Sequence, residues 1–214
     1  MAMPTYSCRV CGADFNLPQQ VVDRYPGWTP RLCRKHRGEP KSSPSQSAAR
    51  KEQSRRALRT PAEVLDSYFD GPQDGVFTDG SAVPNPGYGG WGAVYVKDGS
   101  IVAEAYGDAP QTTNNRMELT ALIQGASLVP EGSSTKVYSD SKLAVQTLTE
   151  WAVGWEKRGW KRKTGAVENL DLVKQAYALY RDRPELQLEW IAAHSGFRWN
   201  EYADALAAMW RRSD

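Results

Sequence analysis

The chain of 214 residues has only three cysteines and two histidines. Three cysteines cannot pair evenly, and a reducing compartment would keep them as thiols, which excludes a disulfide-stapled fold. No run of about 18 apolar residues occurs, so no membrane-spanning helix is expected. The first ten residues, MAMPTYSCRV, lack the charged and apolar regions of a secretion signal, and a cytoplasmic location is the expectation. What is present is 40% hydrophobic and 10% aromatic content. That is enough for one well-cored domain of ~150 residues and something smaller.

The net charge of +2 conceals an asymmetry. Residues 1 to 60 hold 12 Lys and Arg against 4 Asp and Glu, a net +8, whereas residues 61 to 214 hold 15 against 21, a net −6. A cationic front attached to an acidic body points to a polyanionic partner such as nucleic acid, with a solvated basic tail as the alternative.

All three cysteines fall in the front segment. Cys8 and Cys11 form a CxxC, and Cys33 and His36 form a CxxH. Each pair can set two ligands on one tight turn, and two such turns supply the closed tetrahedral shell of a structural zinc ion. Gly12 suits the left-handed residue of such a knuckle. The alternative is a redox CxxC with an unrelated Cys and His, but no helix begins at the motif to activate a thiolate. The segment resembles zinc-ribbon and treble-clef knuckles through Gly12, Phe15, Gly27, Pro30 and Cys33, and departs from them in having His36 where cysteine is more common.

Residues 1–40 therefore read as a zinc-binding module. Residues 41–70 read as a basic flexible linker in which Arg50, Lys51, Arg55, Arg56 and Arg59 can track phosphates. TPAEVLDSYFD at 60–70 carries a capping threonine, a proline at the first helical position and an apolar pattern, so a short helix can close the linker.

From residue 71 onward the texture becomes alternating. Strands are expected at GVFTDGSA, GGWGAVYVKDG and SIVAEAYGD, then a helix over about 114–129. A strand at STKVYSD, helices over 141–152 and 166–181, a strand at ELQLEWIA and a last helix from Asn200 follow. The pattern predicts an α/β domain with a mixed sheet flanked by helices.

Four acids stand at the borders of packed faces. Asp79 follows the apolar run GVFT, and Asp140 ends KVYSD. Asp204 precedes Ala207 and Ala208 at helical spacing. Glu118, in TTNNRMELTAL, lies on the same helical face as Ala121, Leu122, Gly125 and Ala126. Burying a carboxylate without a partner is costly, so either Glu118 lies at the rim of that face or something positive meets it. Four carboxylates drawn from two strands and two helices suit hard cations, Mg²⁺ or Mn²⁺.

TDGSAVPNPG, TNNRMELTAL, YSDSKLAVQ and HSGFRWNEYADALA resemble, in order, the four signature blocks of type 1 ribonuclease H. The resemblance covers roughly residues 74 to 212. It implies a five-stranded mixed sheet with flanking helices, and Mg²⁺-dependent endonucleolytic hydrolysis of the RNA strand of RNA/DNA hybrids by two metal ions. It also implies 5′-phosphate and 3′-hydroxyl products. Asp79, Glu118, Asp140 and Asp204 match the metal-binding acids, Asp79 bridging both ions, and His194 matches the loop histidine that assists proton transfer or product departure.

Asn85, Asn114 and Asn115 match groups that contact sugar and backbone in the hybrid, and Thr113 resembles a phosphate contact. The segment 151–165 is similar to a basic substrate handle, supplying Trp151, Trp155, Lys157, Arg158, Trp160, Lys161, Arg162 and Lys163. Lys142 stands where a glutamine is common, and Ala193 stands where a glycine often precedes the histidine.

Each assignment has a plainer counterpart. One asparagine of the 114–115 pair would serve as a helix N-cap, His194 would be an idle loop residue, and the tryptophans would be helix packing. Arg116 either touches substrate or braces the turn. The expected partner is an RNA/DNA hybrid bound by a monomer. The zinc module is read as an aid to nucleic-acid binding, with docking to a protein partner as the alternative, and a hybrid binder without turnover is the remaining reading.

Overall fold

The computed structural model describes residues 4–9, 11–17, 29, 31, 33 and 59–212. His36, Gly27, Pro30 and the linker cations Arg50, Lys51, Arg55 and Arg56 lie outside the described residues. The chain divides into two compact units, Met1–Glu52 and Gln53–Asp214.

In the first unit, β1 (Thr5–Ser7) and β2 (Asp14–Asn16) pair antiparallel, with Tyr6 opposite Phe15. The turn between them is closed by Gly12 N–H to Cys8 O at 2.8 Å and Cys8 N–H to Ala13 O at 3.0 Å. Gly12 has φ +69°, the left-handed conformation anticipated for the knuckle glycine.

The second unit opens with α1 (Pro61–Ser67) and continues through β3 (Gly75–Ala82), β4 (Gly87–Lys97), β5 (Ser100–Thr112) and α2 (Asn114–Ser127). Next come β6 (Thr135–Ser139), α3 (Lys142–Gln146), a π-helical turn at Thr147–Trp151 and α4 (Ala152–Lys157). The chain then forms α5 (Leu170–Asp182), β7 (Leu186–Trp190), α6 (Arg198–Ala207) and a 3₁₀ turn at Met209–Arg212. The five strands order as β5-β4-β3-β6-β7. β3, β4 and β5 are antiparallel neighbours, while β3 with β6 and β6 with β7 run parallel. Among the described residues no helix is long and apolar enough to cross a membrane.

Strand alternation sorts the core into two layers. Val76, Tyr95 and Val137 pack on one face with Leu122, Ala126, Leu148 and Val173. Phe77, Val94, Val96 and Tyr138 pack on the other with Val64, Trp199, Tyr202 and Leu206. Both faces of β3 are covered, which is why it reads as a nearly unbroken apolar run before Asp79.

Several boundaries differ from the sequence reading. β5 runs on to Thr112 because Gly87 pairs with it across a register shift. The single helix anticipated over 141–152 is three segments reaching Lys157. Ala144, Val145, Leu148 and Ala152 stay buried on one side while the wider turn swells toward exposed Glu150 and Trp151. α5 starts at Leu170 and not at 166, since Asn169 sits at φ +51° and cannot continue a helix backward. α6 begins two residues early, at Arg198.

Arg183 supplies a cap that its sequence position does not advertise. It donates from Nη1 to Ala126 O (2.8 Å) and from Nη2 to Val129 O and Pro130 O (3.2 Å each), beyond the C-terminus of α2. A cation there meets the last carbonyls and the negative end of the helix dipole.

Candidate metal and nucleic-acid site

Glu118 lies on α2 four helical positions before Leu122 and is 9% exposed, on the buried face that its spacing indicated. Gly80 makes this placement possible. A Cβ on Gly80 would stand 2.2 Å from the carbonyl carbon of Met117 and 2.3 Å from the amide nitrogen of Glu118. The backbone of α2 therefore rests directly on β3, one residue past Asp79. Gly92, paired opposite Asp79 in β4, does the same for α6, since a Cβ there would lie 2.5 Å from Ala203 O and from Leu206 Cβ. Both acid-bearing helices approach the sheet over a residue without a side chain.

One carboxylate oxygen each from Asp79, Glu118 and Asp140 lies within 4.8 Å of the others. Asp204 stands close enough for its side chain to interact with that of Asp79 and for its charge to act on Glu118. Burial pushes the Asp79 carboxyl well above its ordinary range, and the charges of Glu118, Asp204 and Asp140 push it further. Glu118 is raised well above by burial, then by Asp140 and Asp204. Burial also raises Asp140 and Asp204, opposed at Asp140 by a hydrogen bond from Asn200 and at Asp204 by the one with Asp79, and at both by His194. Glu118 Oε2 is buried and has no hydrogen-bond partner among the described residues. An oxygen-only set with an orphaned buried carboxylate atom and mutual repulsion fits hard divalent cations.

Asn200, which the sequence marks only as a helix start, belongs to this neighbourhood. It is 2% exposed, and its Nδ2 approaches Asp140 Oδ2 at 3.5 Å. His194 sits in an exposed loop at φ +52°. Trp190 Nε1 donates to Asp140 O at 3.1 Å, and Lys142 Nζ lies 5.8 Å from the Trp190 ring centroid. The cation that replaces the usual glutamine is thus parked on an aromatic ring beside Asp140.

The N-terminus of α2 corrects one expectation. Its cap is Thr113, whose side-chain oxygen accepts from Arg116 N–H at 3.3 Å, and neither Asn114 nor Asn115 caps the helix. Asn114 Oδ1 accepts from Ala82 N–H at 2.7 Å, and Asn85 Oδ1 accepts from Asn114 N–H at 3.2 Å. These two bonds join the β3–β4 turn to the start of α2. Arg116 braces the structure: its guanidinium grips Asp171 at 3.1 and 2.8 Å, tying α2 to α5.

A cleft of about 80 Å³ opens beside this corner, lined by Asn115, Ser141, Thr147, Arg162, Glu168 and Asn169 over an apolar floor that includes Leu119 and Val173. Asn169 was not singled out from the sequence. Its left-handed backbone would have been the signal, and that is visible only once α5 is placed.

On the basic segment Lys157, Arg158, Lys161, Arg162 and Lys163 are exposed. Trp160 packs edge-on against Tyr177 at 5.8 Å, and Trp155 also packs on the core, whereas Trp151 keeps 38% of its surface exposed. In the front unit, Cys8, Cys11 and Cys33 bring their sulfurs within 4.8 Å of one another, with Cys11 Sγ 3.8 Å from Cys33 Sγ.

The RNase H family profile matches residues 72–211. A protein named ribonuclease H from Methylorubrum extorquens is 44% identical over 137 residues, covering 64% of this chain and 59% of its own length. The chain thus spans less than two thirds of that relative. A ribonuclease H from Hahella chejuensis is 41% identical over 135 residues, covering 63% of this chain and 90% of itself. LC9-RNase H1, a type 1 RNase H with the type 2 active-site motif, shares 32% identity at a TM-score of 0.54, over 66% of this chain and 74% of its own. The PFV RNase H domain, at 17% identity and a TM-score of 0.56, covers 64% of this chain and 93% of its own and shares the fold.

Proposed function

The chain belongs to the ribonuclease H family, and from that premise we propose that it is an endoribonuclease hydrolysing the RNA strand of RNA/DNA hybrids, assisted by two divalent cations. The observation that carries this is the convergence of Asp79, Glu118, Asp140 and Asp204, from two strands and two helices, with a buried Glu118 oxygen lacking a partner.

Bound there, Mg²⁺ or Mn²⁺ would supply positive charge for an attacking water and for the departing 3′ oxygen. Asp79, on the central strand and repelled by Glu118, Asp204 and Asp140, would be the residue shared between the two ions. The carboxylates would hold the ions, and Thr78 and Ser139, the neighbours of Asp79 and Asp140 in the chain, are both 0% exposed. Hydrolysis forms a bond from the water oxygen to phosphorus and breaks the bond from phosphorus to the 3′ oxygen. This leaves a 5′-phosphate and a 3′-hydroxyl, and His194 would carry the proton.

The RNA strand is distinguished from DNA by its 2′-hydroxyls, which both donate and accept. Asn85, Asn114 and Asn115 offer amide groups at the rim for that purpose, and the Thr113 hydroxyl keeps its proton for a phosphate after accepting from Arg116. Trp151, Trp160 and the cations Lys157, Arg158, Lys161, Arg162 and Lys163 would steady the backbone. Trp160 acts there by holding the segment on the core and Trp151 by direct contact. In a cleavage assay with Mg²⁺ or Mn²⁺, labelled RNA/DNA hybrid should be cut while duplex RNA and duplex DNA stay intact. Equal cutting of all three would discard the hybrid-specific reading.

Residues 1–40 form a structural zinc module in this reading, with Cys8, Cys11 and Cys33 as three ligands and His36 as the fourth. Residues 41–70 connect it to the nuclease at 71–214. The purified chain should then hold one zinc per molecule, and Cys33→Ser should abolish that content with hybrid cleavage by the nuclease retained. A wild-type chain without zinc would remove the module from the proposal.

A further inference from the structure

Residues 59–71 precede the family match, yet they are fastened to the helix that carries Asp204. Their local structure follows from the sequence: Thr60 N–H donates to Glu63 Oε2 at 2.7 Å and Glu63 N–H to Thr60 Oγ1 at 3.1 Å, a reciprocal capping box with Pro61 at the first helical position. Val64, 1% exposed, then sinks α1 into the layer containing Trp199, Tyr202 and Leu206.

Where the chain leaves α1, Arg198 gathers it. Its Nε donates to Tyr68 O at 2.6 Å, its Nη2 to Leu65 O at 2.9 Å, and its own backbone N–H to Asp70 O at 2.8 Å. The guanidinium lies 5.1 Å from the Phe69 ring centroid and 5.6 Å from that of Trp199. Asp70 bridges Phe197 in parallel, and a Cβ on Gly71 would strike the Phe197 side chain at 2.7 Å.

These contacts fix one end of the loop that bears His194. The other end is held by Ile191 N–H to Ser139 O at 3.1 Å. Between them His194 is a non-glycine residue in the left-handed region, at φ +52°, and Gly196 follows at φ +81°. Such a conformation is unfavourable for a residue with a side chain and persists only where the surroundings over-determine it. Phe197, one residue from Arg198, is where that determination is applied.

We infer that Arg198, acting through the α1 strap, is the positioning residue for His194 in hybrid cleavage. The inference rests on the proposed nuclease reading. Arg198 touches no substrate in it. The guanidinium fork holds the α1 carbonyls and the Phe197 backbone in one register, and the register aims the imidazole toward Asp140 and Asp204. A lysine offers a single rotating ammonium and no planar fork, so it reproduces this only in part.

The test is a double-mutant cycle of Arg198→Ala and His194→Ala on full-length protein, with kcat and KM measured on Mg²⁺-loaded hybrid under single-turnover and steady-state conditions, well below each variant's Tm. Arg198→Ala is expected to lower kcat about 10-fold and leave KM within about 2-fold. Added to His194→Ala, it should cost less than about 2-fold more. Arg198→Lys should fall between. Gly71→Ala, which displaces Phe197 from the strap side, should reproduce the kcat loss without altering Arg198.

A lowered Tm with unchanged kcat would make Arg198 a purely structural residue and overturn the inference. The same fold-loss in both His194 backgrounds would do so too, as would a fully active His194→Ala. A wild-type protein that cuts no hybrid would instead overturn the nuclease reading, and the inference with it.

Discussion

Asp79→Asn is expected to reduce Mg²⁺-dependent hybrid cleavage by on the order of 10³-fold or more while the metal-free protein becomes harder to melt. The two effects have one origin. Asp79 is buried against three other acids, and its carboxyl is held well above its ordinary value by desolvation first and by Glu118, Asp204 and Asp140 next. An amide removes that repulsion and, with it, the charge that cations require. In chelator the variant should melt about 5 °C higher than wild type, whereas added Mg²⁺ should raise the wild-type Tm and leave the variant nearly unmoved.

The pH dependence has a definite sign. Asp79 and Glu118 have ordinary values of 3.8 and 4.5, and the fold raises both. The native state therefore binds these protons more tightly than the unfolded chain, and metal-free stability declines as pH rises from those values through the elevated native ones. Melting wild type in chelator between pH 8 and pH 5.5 should show a higher Tm at the acid end. Asp79→Asn should flatten the slope. A wild-type Tm that falls on acidification over that window would contradict the electrostatic account of the cluster.

Gly80→Ala is the second large effect, and it strikes the same site from beneath. The added methyl has no flexible side chain to push aside, because what it meets is the backbone of Met117 and Glu118 at 2.2 and 2.3 Å. Either β3 or α2 must move. A loss of about 3 kcal/mol in a urea titration is expected, with kcat down about 100-fold in the folded fraction because Glu118 no longer reaches Asp79. Gly132→Ala, at φ +76° with nothing within 4 Å of its Cβ, provides a control that meets backbone strain without a collision. Its cost should appear in stability and not in kcat.

These two variants also mark how far the sequence could be read. The acids were legible because each sits in a local pattern: an apolar strand running into Asp79 and into Asp140, and helical spacing that put Glu118 and Asp204 on packed faces. A mixed sheet with helices packed on it followed from the alternation of strand and helix patterns, whereas the strand order β5-β4-β3-β6-β7 did not. Gly80 stood in plain view beside Asp79, but its meaning depends on a helix more than thirty residues away, which no local pattern encodes. Thr113 took the cap that Asn114 or Asn115 was expected to fill, and the asparagine amide went instead to the Ala82 backbone across the sheet rim.

Arg198 illustrates the same limit. Its acceptors on α1 lie 130 and 133 residues earlier in the chain. The short helix was legible from Thr60 and Pro61, while the surface it covers was not. Arg116 could be weighed two ways until Asp171 appeared at 2.8 Å.

The quartet of acids is split across the molecule's two helical layers, Glu118 arriving from the layer of α2 and Asp204 from the opposite layer of α6. Read as an order of events, this makes the chemistry a late product of synthesis. A ribosome paused before residue 198 has already made β3, α2 and β6, and so presents three of the four carboxylates. It has not made the helix that both supplies Asp204 and covers Phe77, Val94 and Tyr138. The fourth acid and closure of the second layer therefore arrive together, so the cluster is completed only when the chain is able to fold around it.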